Sequence, residues 1–270
     1  MSVTLPEALA GAPCQAALPA YDRQSADIGI VHLGPGAFHR AHQAVYTDNA
    51  MAKSGGNWAI CGVSLRSPGV RDALEPQDGL YTLVTLDEDI SYRVIGSIRD
   101  LMVAPENPLG VILKLADPDV KIVTLTITEK GYCLAPDGTL DRGHPDIVHD
   151  LGKPASPKSA IGYLVAALGA RRQAGIAPFV AISCDNLPDN GHKLKAAVAG
   201  YARALDPAFG DWIEAEVQFP RTMVDSITPM TDDALEARVV AEAGLDDAWP
   251  IQREAFTQWV IEHFDGDRPD

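Results

Sequence analysis

Four short stretches of the 270-residue sequence carry groups that could perform chemistry. The first is Gly34-Pro35-Gly36, which follows an apolar run ending at Leu33. Glycines allow a tight turn in which main-chain N–H groups approach a ligand closely. The other three are Glu129-Lys130, Asp185-Asn186 and Asp225, which follow or interrupt apolar segments. Charged and amide groups at such positions suit the binding of a cofactor or a substrate.

The glycine pair lies between a predicted strand and a predicted helix. Residues 28–33 are almost continuously apolar and rich in β-branched side chains, as in a strand buried on both faces. Phe38, Ala41 and Val45 then repeat at helical spacing. A helix N-terminus carries unpaired N–H groups and a partial positive charge, so it suits a pyrophosphate. The pattern predicts the first βα unit of a dinucleotide-binding sheet, although His39 stands where the usual fingerprint has a third glycine.

Three polar side chains follow or lie within later predicted strands. Strands are predicted over 122–127, 179–183 and 223–227, and ligands of doubly wound sheets bind at the carboxyl ends of parallel strands. The Lys130 ammonium could neutralise a phosphate or a substrate carboxylate, or it could form an exposed pair with Glu129 that is worth little. The Asn186 amide could stabilise negative charge on a carbonyl oxygen, or it could cap a turn with Asp185. Asp225 is either a residue at a surface edge or a site residue with a partner.

Two segments complicate the βα alternation. The β-rich residues 80–86 and 90–98 flank an acidic turn at 87–89, which predicts a hairpin within a largely parallel, mixed sheet. The second predicted strand, 58–63, lacks the carboxylate that normally binds the adenosine ribose. Arg66 and Ser67 follow it instead and could accept a 2′-phosphate or stack on adenine, or Arg66 could be solvated. This stretch leaves NAD and NADP open.

Composition excludes several classes of function. The net charge of −15 opposes binding to nucleic acid. No apolar run approaches the length of a membrane span, and no secretory signal is evident at the N-terminus. The four cysteines are scattered, and His144 and His149 have no third histidine in their predicted loop, so we expect no metal site. A cytoplasmic protein is therefore expected.

Four sequence blocks together resemble the long-chain mannitol dehydrogenase and fructuronate reductase family. The first reads Gly-x-Gly-x-Phe-His-Arg-Ala-His-Gln-Ala-Val-Tyr over 34–46, and the others cover 126–132, 183–188 and 223–229. The resemblance implies a Rossmann-like, doubly wound α/β domain over 28–270 after an N-terminal arm at 1–27. It also implies an NAD-dependent oxidoreductase, with NADP left open, acting on a keto sugar or keto-uronate such as fructose or fructuronate. Residues 128–133 and 157–163 are more similar to fructuronate reductases.

The resemblance also implies roles for particular residues. Those expected to bind the cofactor are Gly34, Gly36, Ala37, Phe38, His39, Arg66 and Glu129. Those expected to act on the substrate are Lys130, Asn186 and Asp225. Members of the family carry a further helical domain with a Lys-x4-Asn-x2-His motif whose lysine is the general base, and that spacing does not occur here. The chain is then expected to be a cofactor-binding half with little activity alone, or a non-catalytic nucleotide-binding or interaction module derived from such an enzyme.

Overall fold

In the computed structural model, which describes residues 2–270, short strands and helices occur throughout the chain. The strands are β1 (Val3–Thr4), β2 (Ile28–Leu33), β3 (Ala59–Ser64), β4 (Tyr81–Leu86), β5 (Ser91–Ile95), β6 (Ile98–Val103), β7 (Ile122–Leu125), β8 (Val180–Ser183), β9 (Thr222–Ser226), β10 (Leu245–Asp246), β11 (Ile251–Glu254) and β12 (Thr257–Ile261). The α-helices are α1 (Leu5–Leu9), α2 (Ala37–Ala41), α3 (Gln43–Ser54), α4 (Gly69–Leu74), α5 (Pro108–Ala116), α6 (Pro145–Gly152), α7 (Ala160–Ala174), α8 (Asn190–Leu205), α9 (Pro207–Glu216) and α10 (Asp233–Arg238). Among residues 2–270, no helix is both long and apolar enough to cross a membrane.

Five strands form one parallel sheet in the order β6-β3-β2-β7-β8. β2 lies at its centre, which agrees with the continuous apolar sequence of that strand. From β2 the chain winds outward through β3 and β6, and later through β7 and β8 on the other side. The direction of winding therefore reverses between β2 and β7, and open α/β sheets bind ligands at the carboxyl ends of the strands at such a point. The predicted doubly wound fold is confirmed.

Alternate residues of β2 pack into separate cores on the two faces of this sheet. Val31 and Leu33 join a core that includes residues of α5, α7 and α8. Ile30 joins a second core with residues of α2, α3, β4 and β11. Both faces of β2 are thus covered, so the loop after Leu33 is fixed from two sides.

The predicted hairpin forms, but it lies outside the main sheet. β4 pairs antiparallel with β5, and it also pairs in parallel with β11, giving a separate three-stranded sheet. The expectation of a mixed main sheet was therefore wrong, because the hairpin's free edge is taken by a strand almost 170 residues later in the chain. The main sheet is purely parallel.

Two predicted segments take a different local structure. The helix after the glycines breaks at His42, whose backbone angles (φ −126°, ψ −87°) end α2 and begin α3. The predicted loop over 133–158 contains α6, whose N-cap is His144. The Nδ1 atom of that histidine accepts a hydrogen bond from the backbone N–H of Asp146 at 3.2 Å. His144 therefore caps the start of α6.

Two smaller β-structures complete the fold. β9 and β12 form an antiparallel pair in which Asp225 lies opposite Gln258. β1 pairs in parallel with β10, and Leu5 of α1 is fully buried beside Leu245. The segment before β2 therefore packs against the later part of the chain.

Candidate functional site

The loop from β2 to α2, which we call the glycine corner (Gly34-Pro35-Gly36), shows two different reasons for glycine. Gly34 has φ +92°, and a Cβ atom added there would lie 2.3 Å from the carbonyl oxygen of Thr126. Its glycine is required by the fold. At Gly36 the nearest atom to an added Cβ is the Gly34 carbonyl oxygen at 3.9 Å, so that position faces open space. Packing within the chain does not require a glycine at Gly36.

The corner leads directly into the first turn of α2. The Gly34 carbonyl accepts a hydrogen bond from the Gly36 N–H at 2.7 Å, and the Gly36 carbonyl accepts one from the Arg40 N–H at 3.1 Å. The N–H groups of Ala37 and Phe38 precede the first intrahelical donor, so they remain available to a ligand. Gly36, Ala37 and Phe38 all line one cleft beside the corner. Unpaired N–H groups at a helix start are suited to an anion.

A cleft of about 440 Å³ lies on one side of the corner, and we call it the basic cleft. It runs over the end of β3 and is bordered by Arg66, Lys130 and Lys158. None of these three side chains has a carboxylate within 4 Å among residues 2–270. Among the described residues of its lining, the only acidic one is Asp146. In a chain of net charge −15, this concentration of free cations favours an anionic ligand.

A second cleft of about 360 Å³ lies on the other side of the corner, and we call it the polar cleft. It covers the ends of β7 and β8 and also reaches β9. Asn186 and Asp225 both border it, and both are exposed. No lysine, arginine or histidine belongs to its described lining. Gly34, Gly36 and Thr126 border both clefts, so the two clefts meet at the glycine corner.

Asp185 also borders the polar cleft, where its carboxylate holds the loop after β7. It accepts hydrogen bonds from the backbone N–H groups of Ile127 and Thr128, both at 3.0 Å, and from the Tyr132 hydroxyl at 2.6 Å. Thr128 has φ +63°, a backbone conformation that is unfavourable for a threonine. The Asp185 contacts therefore offset local strain, which agrees with the turn-capping alternative for this residue. Asn186, in contrast, has no side-chain hydrogen-bond partner in the described part of the chain.

Three predicted site residues lie elsewhere than the sequence suggested. The His39 side chain is fully buried and stacks on His32 with ring centroids 3.4 Å apart, so it cannot contact a ligand in either cleft. Glu129 is exposed and lines neither cleft. Lys130 lines the basic cleft, whereas Asn186 lines the polar cleft. The structure therefore separates Lys130 from the residues with which it was grouped.

Much of the block after the corner anchors α2 from behind. The Arg40 guanidinium is buried, donates to the Trp249 carbonyl at 2.9 Å and lies over the Trp249 ring. Nε2 of His42 donates to the Gln258 carbonyl at 2.9 Å, and the Arg253 guanidinium donates to the Ala41 carbonyl at 2.9 Å. These side chains stabilise the position of α2 and do not reach the clefts.

Burial keeps the histidines near the corner neutral. It lowers the pKa of His32 to about 3 and the pKa of His42 to about 4. The pKa of His39 is also well below its ordinary value, first because of burial and then because His32 lies beside it. Burial and the nearby Asp185 carboxylate raise the pKa of the Tyr132 hydroxyl. None of these groups is suited to exchange a proton with a substrate near neutral pH.

Sequence reasoning missed two residues that border these clefts. Lys158 lies in the basic cleft, immediately before the N-cap of α7. Thr126 lies where the two clefts meet, just after β7. A lysine beside a helix start was a usable signal for Lys158. Thr126 gave none, because its importance comes from contact with a loop more than 90 residues earlier.

The parallel sheet, its reversal of winding beside β2 and the glycine corner at that point together define a Rossmann-type α/β domain. The family model for the mannitol dehydrogenase Rossmann domain matches residues 28–270. The chain belongs to the mannitol dehydrogenase family. The resemblance predicted from the four sequence blocks is thus confirmed.

Individual relatives give the same result. The chain is 44% identical over 250 residues to a mannitol 2-dehydrogenase of Phaeosphaeria nodorum, covering 91% of this chain and 44% of that protein. It is 45% identical over 256 residues to the uncharacterized oxidoreductase YeiQ of Escherichia coli, covering 93% and 52%. The chain therefore spans about half the length of the curated relatives it matches.

A solved structure agrees with the fold in detail. It is a ternary complex of Pseudomonas fluorescens mannitol 2-dehydrogenase with NAD and D-mannitol. The match has a TM-score of 0.92 and 46% sequence identity, and it covers 97% of this chain and 54% of that one. A D-sorbitol dehydrogenase in substrate-free form matches with a TM-score of 0.93 at 38% identity, over 100% of this chain and 57% of that one.

Proposed function

We propose that residues 28–270 are the cofactor-binding half of an NAD-dependent oxidoreductase that interconverts a keto sugar and the corresponding secondary alcohol. Residues 1–27 form an N-terminal arm in this assignment. The observation that carries the proposal is the open space at Gly36, because a glycine that packing does not need leaves room for a ligand against the main chain. The relative crystallised with NAD and D-mannitol supports both the cofactor and the substrate class.

A dinucleotide fits across the corner in one direction. The basic cleft over the end of β3 takes the adenosine half, and the N–H groups of Ala37 and Phe38 take the pyrophosphate. The nicotinamide half then enters the polar cleft over β7 and β8. Arg66, Lys130 and Lys158 supply the positive charge that a dinucleotide needs in an acidic protein.

The polar cleft supplies substrate contacts. The cofactor would supply a hydride acceptor as NAD and a hydride donor as NADH at its nicotinamide ring. The Asn186 amide donates to the substrate oxygen as negative charge develops on it, and the Asp225 carboxylate accepts hydrogen bonds from sugar hydroxyls. The Asp185 carboxylate already accepts three hydrogen bonds. We therefore assign proton transfer to a group outside the described lining of this cleft.

The lining of the polar cleft favours a neutral sugar over a uronate. It contains two aspartates and no cationic side chain, so a substrate carboxylate would meet like charge. Lys130, the residue expected to pair with such a carboxylate, borders the basic cleft instead. Fructose and mannitol are therefore the preferred pair, and fructuronate and mannonate are the alternative.

Titration and turnover together test this function. Binding of NADH to the 270-residue chain should quench the fluorescence of the protein or increase the fluorescence of NADH. Mannitol should change the protein fluorescence further when NAD is bound. We expect slow or no NADH oxidation with fructose, because a proton-transfer group is missing from the lining and such a group contributes about 10²- to 10⁴-fold. Faster oxidation with fructuronate than with fructose would reverse the substrate choice. Absence of any NADH binding by the folded chain would refute the proposal.

A further inference from the structure

His32 is a fully enclosed polar side chain next to the glycine corner. It is the penultimate residue of β2, it is completely buried, and it lies opposite Thr124 of β7 in the sheet register. Its Nδ1 atom is 2.7 Å from the Thr124 hydroxyl oxygen, and its Nε2 atom is 2.8 Å from the Thr126 hydroxyl oxygen and 3.2 Å from the Gly34 carbonyl oxygen. Both ring nitrogens are therefore paired, although neither faces a cleft.

The donor and the acceptor of each hydrogen bond can be assigned because the last group in the series, the Gly34 carbonyl, can only accept. The Thr126 hydroxyl donates to the Gly34 carbonyl at 2.8 Å, so its oxygen accepts from Nε2–H of His32. Nδ1 of His32 then accepts from the Thr124 hydroxyl. Three hydrogen bonds thus run in one direction from β7 through the neutral imidazole to the Gly34 carbonyl. The same carbonyl accepts the Gly36 N–H, which closes the turn.

His39 connects this chain of hydrogen bonds to α2. Its ring stacks on the His32 ring at 3.4 Å between centroids and 14° between planes. Both of its ring nitrogens are buried and have no hydrogen-bond partner among the described residues. Its contact with His32 is therefore one of packing, which sets the first turn of α2 against β2.

We propose that His32 is a positioning residue that fixes the glycine corner for the pyrophosphate of the dinucleotide, acting through the Thr126 hydroxyl and through its own longer contact with the Gly34 carbonyl. The hydrogen bonds orient the Gly34 carbonyl, and the stacked His39 ring sets where α2 begins. The N–H groups of Ala37 and Phe38 then point into the cleft before a ligand arrives, so little ordering is required on binding. This inference rests on the proposed function, since it names how the same site holds its ligand.

Removal of one hydroxyl tests the proposal. Thr126→Val keeps the shape of the side chain and removes the donor to Gly34, whereas Thr126→Ser keeps the donor. We expect Thr126→Val to weaken binding of NADH and of ADP about threefold to tenfold, as the loss of one such hydrogen bond implies. Adenosine lacks the pyrophosphate, so the affinity of Thr126→Val for adenosine should lie within twofold of the affinity of the unaltered chain. Thr126→Ser should restore NADH and ADP binding.

A double variant separates transmission from direct contact, because Thr126 itself borders both clefts. His32→Gln removes the imidazole without altering any cleft residue. We expect it to weaken ADP binding, and we expect the loss in the double variant to be smaller than the sum of the two single losses, because both side chains act on the Gly34 carbonyl. Additive losses, or equal losses for ADP and adenosine, would overturn the proposal. Urea unfolding of each variant confirms that the protein measured is folded.

A second readout does not depend on the ligand. Amide hydrogen exchange at Gly36 reports the closed turn directly, because its N–H donates to the Gly34 carbonyl. Exchange at Gly36 should rise about tenfold in Thr126→Val and stay near the original rate in Thr126→Ser. If the unaltered chain binds no dinucleotide, the proposed function fails and this measurement still decides the inference. Unchanged exchange at Gly36 in Thr126→Val would overturn it.

Discussion

Substitution of the two glycines of the corner should affect different properties: the stability of the fold at Gly34 and the binding of the cofactor at Gly36. Gly34→Ala forces an L-residue into φ +92° with its Cβ atom 2.3 Å from the Thr126 carbonyl oxygen. Strained backbone of this kind costs about 1–3 kcal/mol, and relief of the steric overlap adds to that cost. Gly36→Val places its side chain in open space, where an added Cβ meets nothing nearer than 3.9 Å. Its effect on folding should be about 1 kcal/mol or less, as for an altered N-cap.

The same Gly36→Val side chain occupies the space where a pyrophosphate must approach the main chain. We expect the dissociation constant for NADH to rise about tenfold to a hundredfold, equivalent to about 1.4–2.8 kcal/mol. Gly36→Ala should give a smaller loss in the same direction. Urea unfolding measures the stability of each variant, and fluorescence titration with NADH measures the affinity under conditions where all of them are folded.

Two results with these variants would contradict the roles assigned to the glycines. Gly36→Val that is folded and binds NADH as tightly as the unaltered chain would show that the ligand does not approach this position. Gly34→Ala that unfolds at the original urea concentration would show that the corner has another conformation in solution. A loss of affinity in Gly34→Ala alone is uninformative about contact, since that variant also disturbs the fold.

Three further predictions follow from other contacts of the site. Asp185→Asn should lower the free energy of unfolding by about 1–3 kcal/mol in urea, because one amide oxygen cannot satisfy three buried or strained donors; unchanged stability would contradict the bracing role. Arg66→Ala should weaken NADP binding more than NAD binding in parallel titrations, whereas equal losses would show that Arg66 does not face the ribose. The urea concentration at the midpoint of unfolding should decrease as the pH is lowered from 6.5 to 4. The unfolded chain binds protons at His32 and His42 there while the folded chain does not, so each histidine removes up to about 1.4 kcal/mol per pH unit. A midpoint equal at pH 7 and pH 5 would refute this.

The parts of the fold set by local sequence were predictable. β2 and α7 have apolar patterns that permit only one kind of element, and the glycine corner follows from its two glycines. β6 was missed because it is an edge strand, and its half-buried residues include charged Arg99 and Asp100. Edge strands lack the continuous apolar pattern of buried parallel strands.

Side-chain placement at the site was harder to predict than the elements. Asn186 follows the buried strand β8, Asp225 lies in the largely exposed strand β9, and both border the polar cleft. Lys130 belongs to a different cleft because a 3₁₀ turn at Glu129–Tyr132 carries it across the corner. His39 is buried because its ring stacks on the buried ring of His32 in β2, and nothing in the local sequence reveals that contact.

The contacts behind α2 have a consequence for how the protein is made. Arg40 and His42 bind carbonyls of Trp249 and Gln258, 209 and 216 residues later, and Arg253 returns to Ala41 across 212 residues. Contacts so distant in sequence close large loops and slow folding. During synthesis the glycine corner therefore leaves the ribosome long before the residues that support it. The shape of the corner is completed only once almost all of these 270 residues have been translated.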